Sequence, residues 1–499
     1  MKQTLTWMAK GLVLLMLFIS VVVTYALLSS PPDGESNDIS HAGESLGGIY
    51  KRYNGSVYAA VPSNGLYKIE QADPETFALI KDEMRNNRQV GKDKDHVYCG
   101  NLVLPELDAA RTVYLGNSYF SDGAHTWYCG FSTIRNENLS AIADVYQLVR
   151  YRLGYGTKPQ SYLYPSRQLP QSSTPYRPLL DADFITDGTQ VYYRGEHLAQ
   201  AKPDTLRRIK VPSSSGDRPS EHYFADGEHV YYKTQLLPHR DNDKLEVLKF
   251  GDIPGRTPYL YDPLEGMVFS ANLPFDAANK PYAPLTRGGE HIYHVLFTSK
   301  NGIFFYDTQN RKVKRAGENI FASADFSALS PYIFWDGKRL IYLQASEERR
   351  KGKSGWSLVS RSTNILQLTE PVADDWQKLG DTRSGVFGSV WRNGTSLWYF
   401  ATSSFGSRLT KSGPLYHIAD NATAEALQQP DISSDDIEAL FKQEKLYPPS
   451  HQKLLEAKTK YKNSGLIMVV FIIMAFSLAP AILGIFHALR VRRSIPGKS

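Results

Sequence analysis

Asp226-Gly227-Glu228-His229-Val230-Tyr231-Tyr232 decides the fold, because close relatives of this phrase recur along the 499-residue chain. They begin at Asp93 (Asp-Lys-Asp-His-Val-Tyr-Cys), Asp122 (Asp-Gly-Ala-His-Thr-Trp-Tyr) and Asp187 (Asp-Gly-Thr-Gln-Val-Tyr-Tyr). Worn versions run over Gly288 to His294, Asp336 to Tyr342 and Asn393 to Tyr399, and a truncated one starts at Asn54. Asp-Gly and Asn-Gly supply the positive φ angles of a tight hairpin, and the Val-Tyr-Tyr that follows alternates between two faces. Each phrase therefore predicts a hairpin turn feeding a strand. The full phrases start 29 to 65 residues apart, at an average of 50. That spacing predicts an all-β repeat domain over residues 50–427. An irregular β-propeller is the first expectation and an open stack of β-hairpins the alternative. The widest gap holds a helical pattern over about 137–153, with Leu139, Ile142, Val145 and Leu148 on one face, and predicts a helical insertion.

A second phrase joins some repeats. Ala72-Asp73-Pro74-Glu75-Thr76-Phe77 is echoed by Ala201-Lys202-Pro203-Asp204-Thr205-Leu206. Proline opening an acidic and then apolar stretch predicts a tight turn that stows Phe77 or Leu206 beneath a sheet. With both phrases in place, residues 50 to 420 resemble the DKNYY family of bacterial repeat proteins, most closely between 60 and 235. The segment Asp93-Lys94-Asp95-His96-Val97-Tyr98 nearly spells the motif that names the family. The resemblance implies a bacterial envelope protein and carries over no catalytic residue.

The net charge of +6 is confined to the ends. Lys2 and Lys10 precede an apolar run from Gly11 to Leu28, and Arg490, Arg492, Arg493 and Lys498 follow a second from Leu466 to Leu489. Without those six, 51 basic residues balance 51 acidic ones, which removes the electrostatic case for nucleic acid. Both apolar runs are expected to be transmembrane helices, the first with a cleaved signal peptide as its rival. Basic flanks put residues 1–10 and 490–499 in the cytosol and the domain in the periplasm, as in a two-pass inner-membrane protein. Residues 29–49 read as a flexible tether. Residues 435–463 read as a juxtamembrane helical stalk, with a Lys-rich helix from Gln452 to Lys462.

Cys99 and Cys129 occupy successive columns of adjacent repeats. An oxidising compartment favours one disulfide between them; the column offset, which aims them at opposite strand faces, favours two separate buried thiols. His96, His125, His229 and His291 share one column, where a metal role competes with simple turn stabilisation. The column also holds Gln190, Arg339 and Ser396, which favours the turn. Asp181-Ala182-Asp183 and Asp93-Lys94-Asp95 are too sparse for a calcium loop. No catalytic or cofactor motif stands out. No metal, cofactor or catalytic residue is therefore expected. The pattern points to a non-enzymatic binding or scaffold module with a protein partner in the envelope. An immunity-type protein is one version, and an envelope hydrolase with its site on the repeat loops is the alternative.

Overall fold

The computed structural model describes residues 35–80, 88–180, 183–212, 216–248, 258–287, 291–322, 325–352, 355–402 and 413–461. Both expected membrane segments, 11–28 and 466–489, and both expected cytosolic ends lie outside these residues. Among the described residues no helix is long and apolar enough to cross a membrane. The chain divides into two compact units, Met1–Leu206 with Ser464–Ser499, and Arg207–Asn463.

Each unit is built from antiparallel four-stranded meanders. Among the described residues the first unit holds four, over 44–68, 78–104, 113–168 and 177–197. The second holds five, over 207–240, 246–274, 283–317, 327–368 and 376–418. Two of these join edge to edge, through a parallel contact at Lys210 and Glu246, into an eight-stranded sheet. The recurring phrase has one place in this scheme: it is the central hairpin turn, between the second and third strands of a meander. This holds at Asn54, Asp93, Asp122, Asp187, Asp226, Asp336 and Asn393. It fails at 288–294, where the described part, His291 to His294, forms no strand. The meander there turns instead at Ser299-Lys300-Asn301-Gly302, and Ile292 is simply buried. No closed ring of blades is found among the described residues.

Consecutive sheets of the first unit are stapled in chain order. The Tyr50 hydroxyl leaves the first sheet and donates to the carbonyls of Gln89 (2.7 Å) and Gly100 (3.0 Å) in the second. Gln89 Nε2 donates to Cys129 O of the third sheet at 3.1 Å. Tyr119 starts the second strand of the third sheet as Tyr50 does in the first; its hydroxyl donates to Asp183 O at 3.1 Å and accepts the Gly195 N–H at 2.9 Å in the fourth. Within the second unit Tyr223 repeats the device, donating to Pro258 O and Ala271 O at 3.0 and 3.1 Å. A buried hydroxyl needs a partner, so these tyrosines add direction to an otherwise apolar contact between sheets.

The connecting phrase behaves as expected. Residues 74–76 and 203–205 are turns, and Phe77 and Leu206 are buried. Phe77 packs between Tyr50 (4.8 Å between centroids) and Tyr98 (5.7 Å). The fit is close: a Cβ on Gly91 would lie 2.4 Å from the Phe77 ring, so only glycine suits that strand position.

Two sequence expectations are corrected. The tether is partly ordered: Glu35–Ala42 forms helix α1, which buries Ile39, and Glu44–Gly47 is the edge strand of the first sheet. Lys51 Nζ holds that helix by donating to Ser40 O at 2.6 Å. The insertion is a helix, α2 (Ala141–Arg152), capped by Ser140 and carried on a two-stranded stem of Ile134–Arg135 and Tyr162–Leu163. However, it buries Val149 and Tyr151, and the face bearing Ile142 and Val145 points to solvent. The stalk is the second correction. Asn421–Leu427 and Ser434–Lys442 are helices α3 and α4, but His451–Lys460 is a strand that extends the 327–368 sheet along Gly355–Leu368. Ala457 and Thr459 face inward and Lys458 and Lys460 outward, a period of two that the helix-favouring Lys, Leu and Glu conceal. Pairing along nine positions outweighs intrinsic propensity.

Candidate functional site

The repeated polar residues are spent on the turns. Asp93 Oδ1 accepts the N–H groups of Asp95 (2.8 Å) and His96 (2.7 Å). Asp122, Asp187, Asp226 and Asp336 make the same pair of bonds, two and three residues ahead, at 2.6 to 3.0 Å. This is an Asx turn, in which the side chain replaces a backbone acceptor. Burial alone would raise the Asp122 carboxyl, but the N–H groups of Asp108, His125 and Ala124 outweigh it and hold the group at about 2.

The histidine column lies beside the same turns, with His229 alone of the turn histidines within hydrogen-bonding distance of its aspartate. His229 Nδ1 lies 3.2 Å from Asp226 Oδ2, His125 Nδ1 3.6 Å from Asp122 Oδ2, and His96 Nδ1 3.9 Å from Asp93 Oδ1. Arg339 fills the column with its Nε 2.7 Å from Asp336 Oδ2. His291 has a different setting, fully buried edge-on against Tyr332 at 4.9 Å. None of the four joins a ligand cluster. The group among the described residues that could hold a metal is His239, Asp262 and Glu265. Its oxygens are already engaged: Asp262 Oδ2 meets His239 Nε2 at 2.8 Å and Asn242 Nδ2 at 3.0 Å, and Lys280 takes Glu265 at 2.8 Å. That geometry describes a satisfied polar cluster.

Cys99 and Cys129 form a disulfide with a Cα–Cα distance of 5.9 Å. The column offset does not keep them apart, because they sit on different sheets. Both cysteines belong to one core cluster shared by the second and third sheets, where they meet.

Two surfaces offer contact. In the second unit a cleft of about 530 Å³ is lined by Phe321, Phe326, Phe334 and Leu285 together with the polar Asp325 and Ser327. The three rings meet edge-on at 5.0 and 5.3 Å. In the first unit, α2 exposes Ile142 (85%), Tyr146 (61%) and Val145 (49%), which occupy positions i, i+4 and i+3 of one face. The helix is held from behind by its buried residues and by the Ser161 hydroxyl, which donates to Asp144 Oδ1 at 2.6 Å. Apolar side chains aligned and exposed on a fixed helix form a contact surface for another molecule. The apolar periodicity was visible in the sequence, but which face turns inward was not. The cleft residues carry no motif at all.

Serial four-stranded meanders, most of them closed by an Asp-capped central hairpin, define an all-β hairpin-repeat protein. Residues 50–235 match the DKNYY family. The match runs from the second strand of the first sheet to the third strand of the 207–240 meander. No curated protein matches the chain in sequence.

Proposed function

We propose that this chain is a membrane-anchored envelope protein whose β-repeat domain binds a protein partner and catalyses no reaction. The carrying observation is the solvent-facing row of Ile142, Val145 and Tyr146 on α2. Such a helix face suits an apolar groove on a partner, read at i, i+3 and i+4. The commitment of the repeated Asp residues to turns supports the scaffold part of the proposal. Two apolar runs, 11–28 and 466–489, support anchoring at both ends with the domain in the periplasm. An immunity-type protein that intercepts an incoming toxin is a narrower version of the same proposal. The sheet-to-sheet tyrosine bridges suit either an open stack or an irregular propeller, and small-angle scattering separates the elongated form from the compact one.

Site-specific photocrosslinking in native membranes, with the probe at Tyr146, tests the binding role. One discrete adduct is expected, lost in an Ile142→Glu, Val145→Glu double variant whose melting temperature is unchanged. Adducts that persist in that variant, or none at Tyr146, would move the function to the Phe321 cleft or to a small-molecule reaction.

A further inference from the structure

The fourth meander of the second unit has a feature the fold does not require. Its strands Leu340–Gly352 and Gly355–Leu368 are 13 and 14 residues long, against three to eight in most neighbours. Only their proximal parts are covered by His451–Lys460, whose last pair is Lys460 with Ser360. Beyond that level no other strand among the described residues pairs with the hairpin, which runs on through Arg349 opposite Leu358, Arg350 opposite Ser357 and Lys351 opposite Trp356. Trp356 is 65% exposed, and Arg350 and Lys351 are exposed beside it. The acids nearest the tip are already engaged: Glu347 pairs with Arg349 and Arg361 and accepts from Tyr293, and Glu348 takes Ser360 and Lys458. The tip is therefore a basic, tryptophan-bearing projection.

Strand direction gives this projection an address. His451–Lys460 runs antiparallel to Gly355–Leu368, so the chain leaving Lys460 heads toward the hairpin tip. Five residue steps separate Ser360 from Gly355, roughly 17 Å of strand. Six steps separate Lys460 from Leu466, where the second apolar run begins, a reach of at most about 20 Å. Projection and tether match in length. A membrane entered at Leu466 is therefore no farther from Lys460 than about the length of the projection.

We infer that the 340–368 hairpin is a foot that rests on the membrane, with Trp356 at the headgroup level and Arg350 and Lys351 bound to anionic headgroups. The inference rests on the proposed membrane anchoring through 466–489. Tryptophan favours the interface because its ring is apolar and its N–H polar, and basic side chains are drawn to anionic lipid. The foot would fix how the repeat domain stands on the bilayer.

The test uses the full chain reconstituted in phosphatidylcholine vesicles, with and without phosphatidylglycerol, carrying phospholipids brominated near the headgroup. The contribution of Trp356 is the fluorescence difference between the parent chain and Trp356→Phe. That difference signal is expected to be quenched in phosphatidylglycerol vesicles, and the quenching lost in an Arg350→Glu, Lys351→Glu variant with an unchanged melting temperature. Quenching that is absent from chains that do float with vesicles through alkaline carbonate overturns the foot and leaves the anchor standing. That outcome includes a tip covered by a protein or a second copy. Quenching indifferent to phosphatidylglycerol and to the charge reversal overturns the anionic recognition. Failure of the chain to float overturns the anchoring itself.

Discussion

The Tyr98 hydroxyl donates to Asp93 Oδ2 at 2.7 Å, tying the sixth residue of one repeat to its first. The same oxygen accepts the Asp73 N–H at 2.9 Å, from the connection that leads into this sheet. Tyr231 and Asp226 repeat the first contact at 3.2 Å, and the Asp108 N–H and Asp122 Oδ2 repeat the second at 2.9 Å. One carboxylate thus holds its turn through Oδ1 and joins strand to incoming connection through Oδ2. Burial pushes the Tyr98 hydroxyl up, and the adjacent Asp93 pushes it further, so it stays a donor.

Replacing Asp93 removes the acceptor for four donors at once: the N–H groups of Asp73, Asp95 and His96, and the Tyr98 hydroxyl. Asp93→Ala is expected to cost about 2–4 kcal/mol, and Asp93→Asn less, since an amide oxygen still accepts from the turn. Urea unfolding of the two variants measures both. An unchanged midpoint for Asp93→Ala would mean the turn holds without its carboxylate.

Acid should loosen the fold through these same residues. Asp187 is held at about 2, with burial opposing and the N–H groups of Gln190 and Thr189 and the hydroxyls of Thr189 and Ser172 prevailing. Asp307 is held at about 2 by Lys314 and Asn310 against the same opposition, and Asp122 is alike. An unfolded aspartate titrates near 3.9, so the unfolded chain takes up protons first. The stabilisation is therefore fully present above about pH 4–5 and is lost as pH falls through about 2. Unfolding midpoints measured from pH 6 to pH 2.5 should fall steeply over the last stretch, and less steeply in Asp122→Asn.

Removing the Cys99–Cys129 link releases a loop of 30 residues. Loop-closure entropy puts the loss at about 3–4 kcal/mol for a Cys99→Ala, Cys129→Ala variant. Because the bond joins the second and third sheets, the first unit should lose protection while the second keeps it. Hydrogen exchange by mass spectrometry reads the two separately. Equal loss in both units would argue against the bond acting locally.

The hairpins were legible because an Asx turn needs one aspartate at one place, and the chain repeats it. The same physics operates where the phrase is missing. Asp262 Oδ1 accepts from Leu264 (2.8 Å) and Glu265 (3.3 Å), closing the central turn of the 246–274 meander with an unrelated Asp-Pro-Leu-Glu-Gly. Conversely, Gly288 to His294 imitates the phrase but lacks the aspartate, and its described residues are not a hairpin. Long-range pairing was the part sequence periodicity could not carry. The Lys-rich 451–460 segment becomes a strand only because the 355–368 edge is there to receive it. The α2 face was ambiguous for the same reason: amphipathicity shows that a helix has sides, and packing chooses between them.

Thr363 shows what replaces the turn in the copy that is not a hairpin. Its Oγ1 accepts the N–H of Tyr293 at 2.9 Å and of His294 at 2.8 Å, and the residue is fully buried on the long hairpin next to Ala457. His294 Nε2 in turn meets Thr459 Oγ1 at 2.9 Å on the added strand. The Thr363 hydroxyl thus holds the backbone of the 291–294 segment to this sheet, beside the side-chain contacts of Tyr293 and His294. Thr363→Val keeps the shape and the β-branched preference but takes away an acceptor shared by two N–H groups, and should cost about 2–3 kcal/mol. Thr363→Ser keeps the acceptor and should cost less than half as much. If Val and Ser variants melted together, the methyl contact and not the hydroxyl would be holding the segment, and the docking would be one of shape alone.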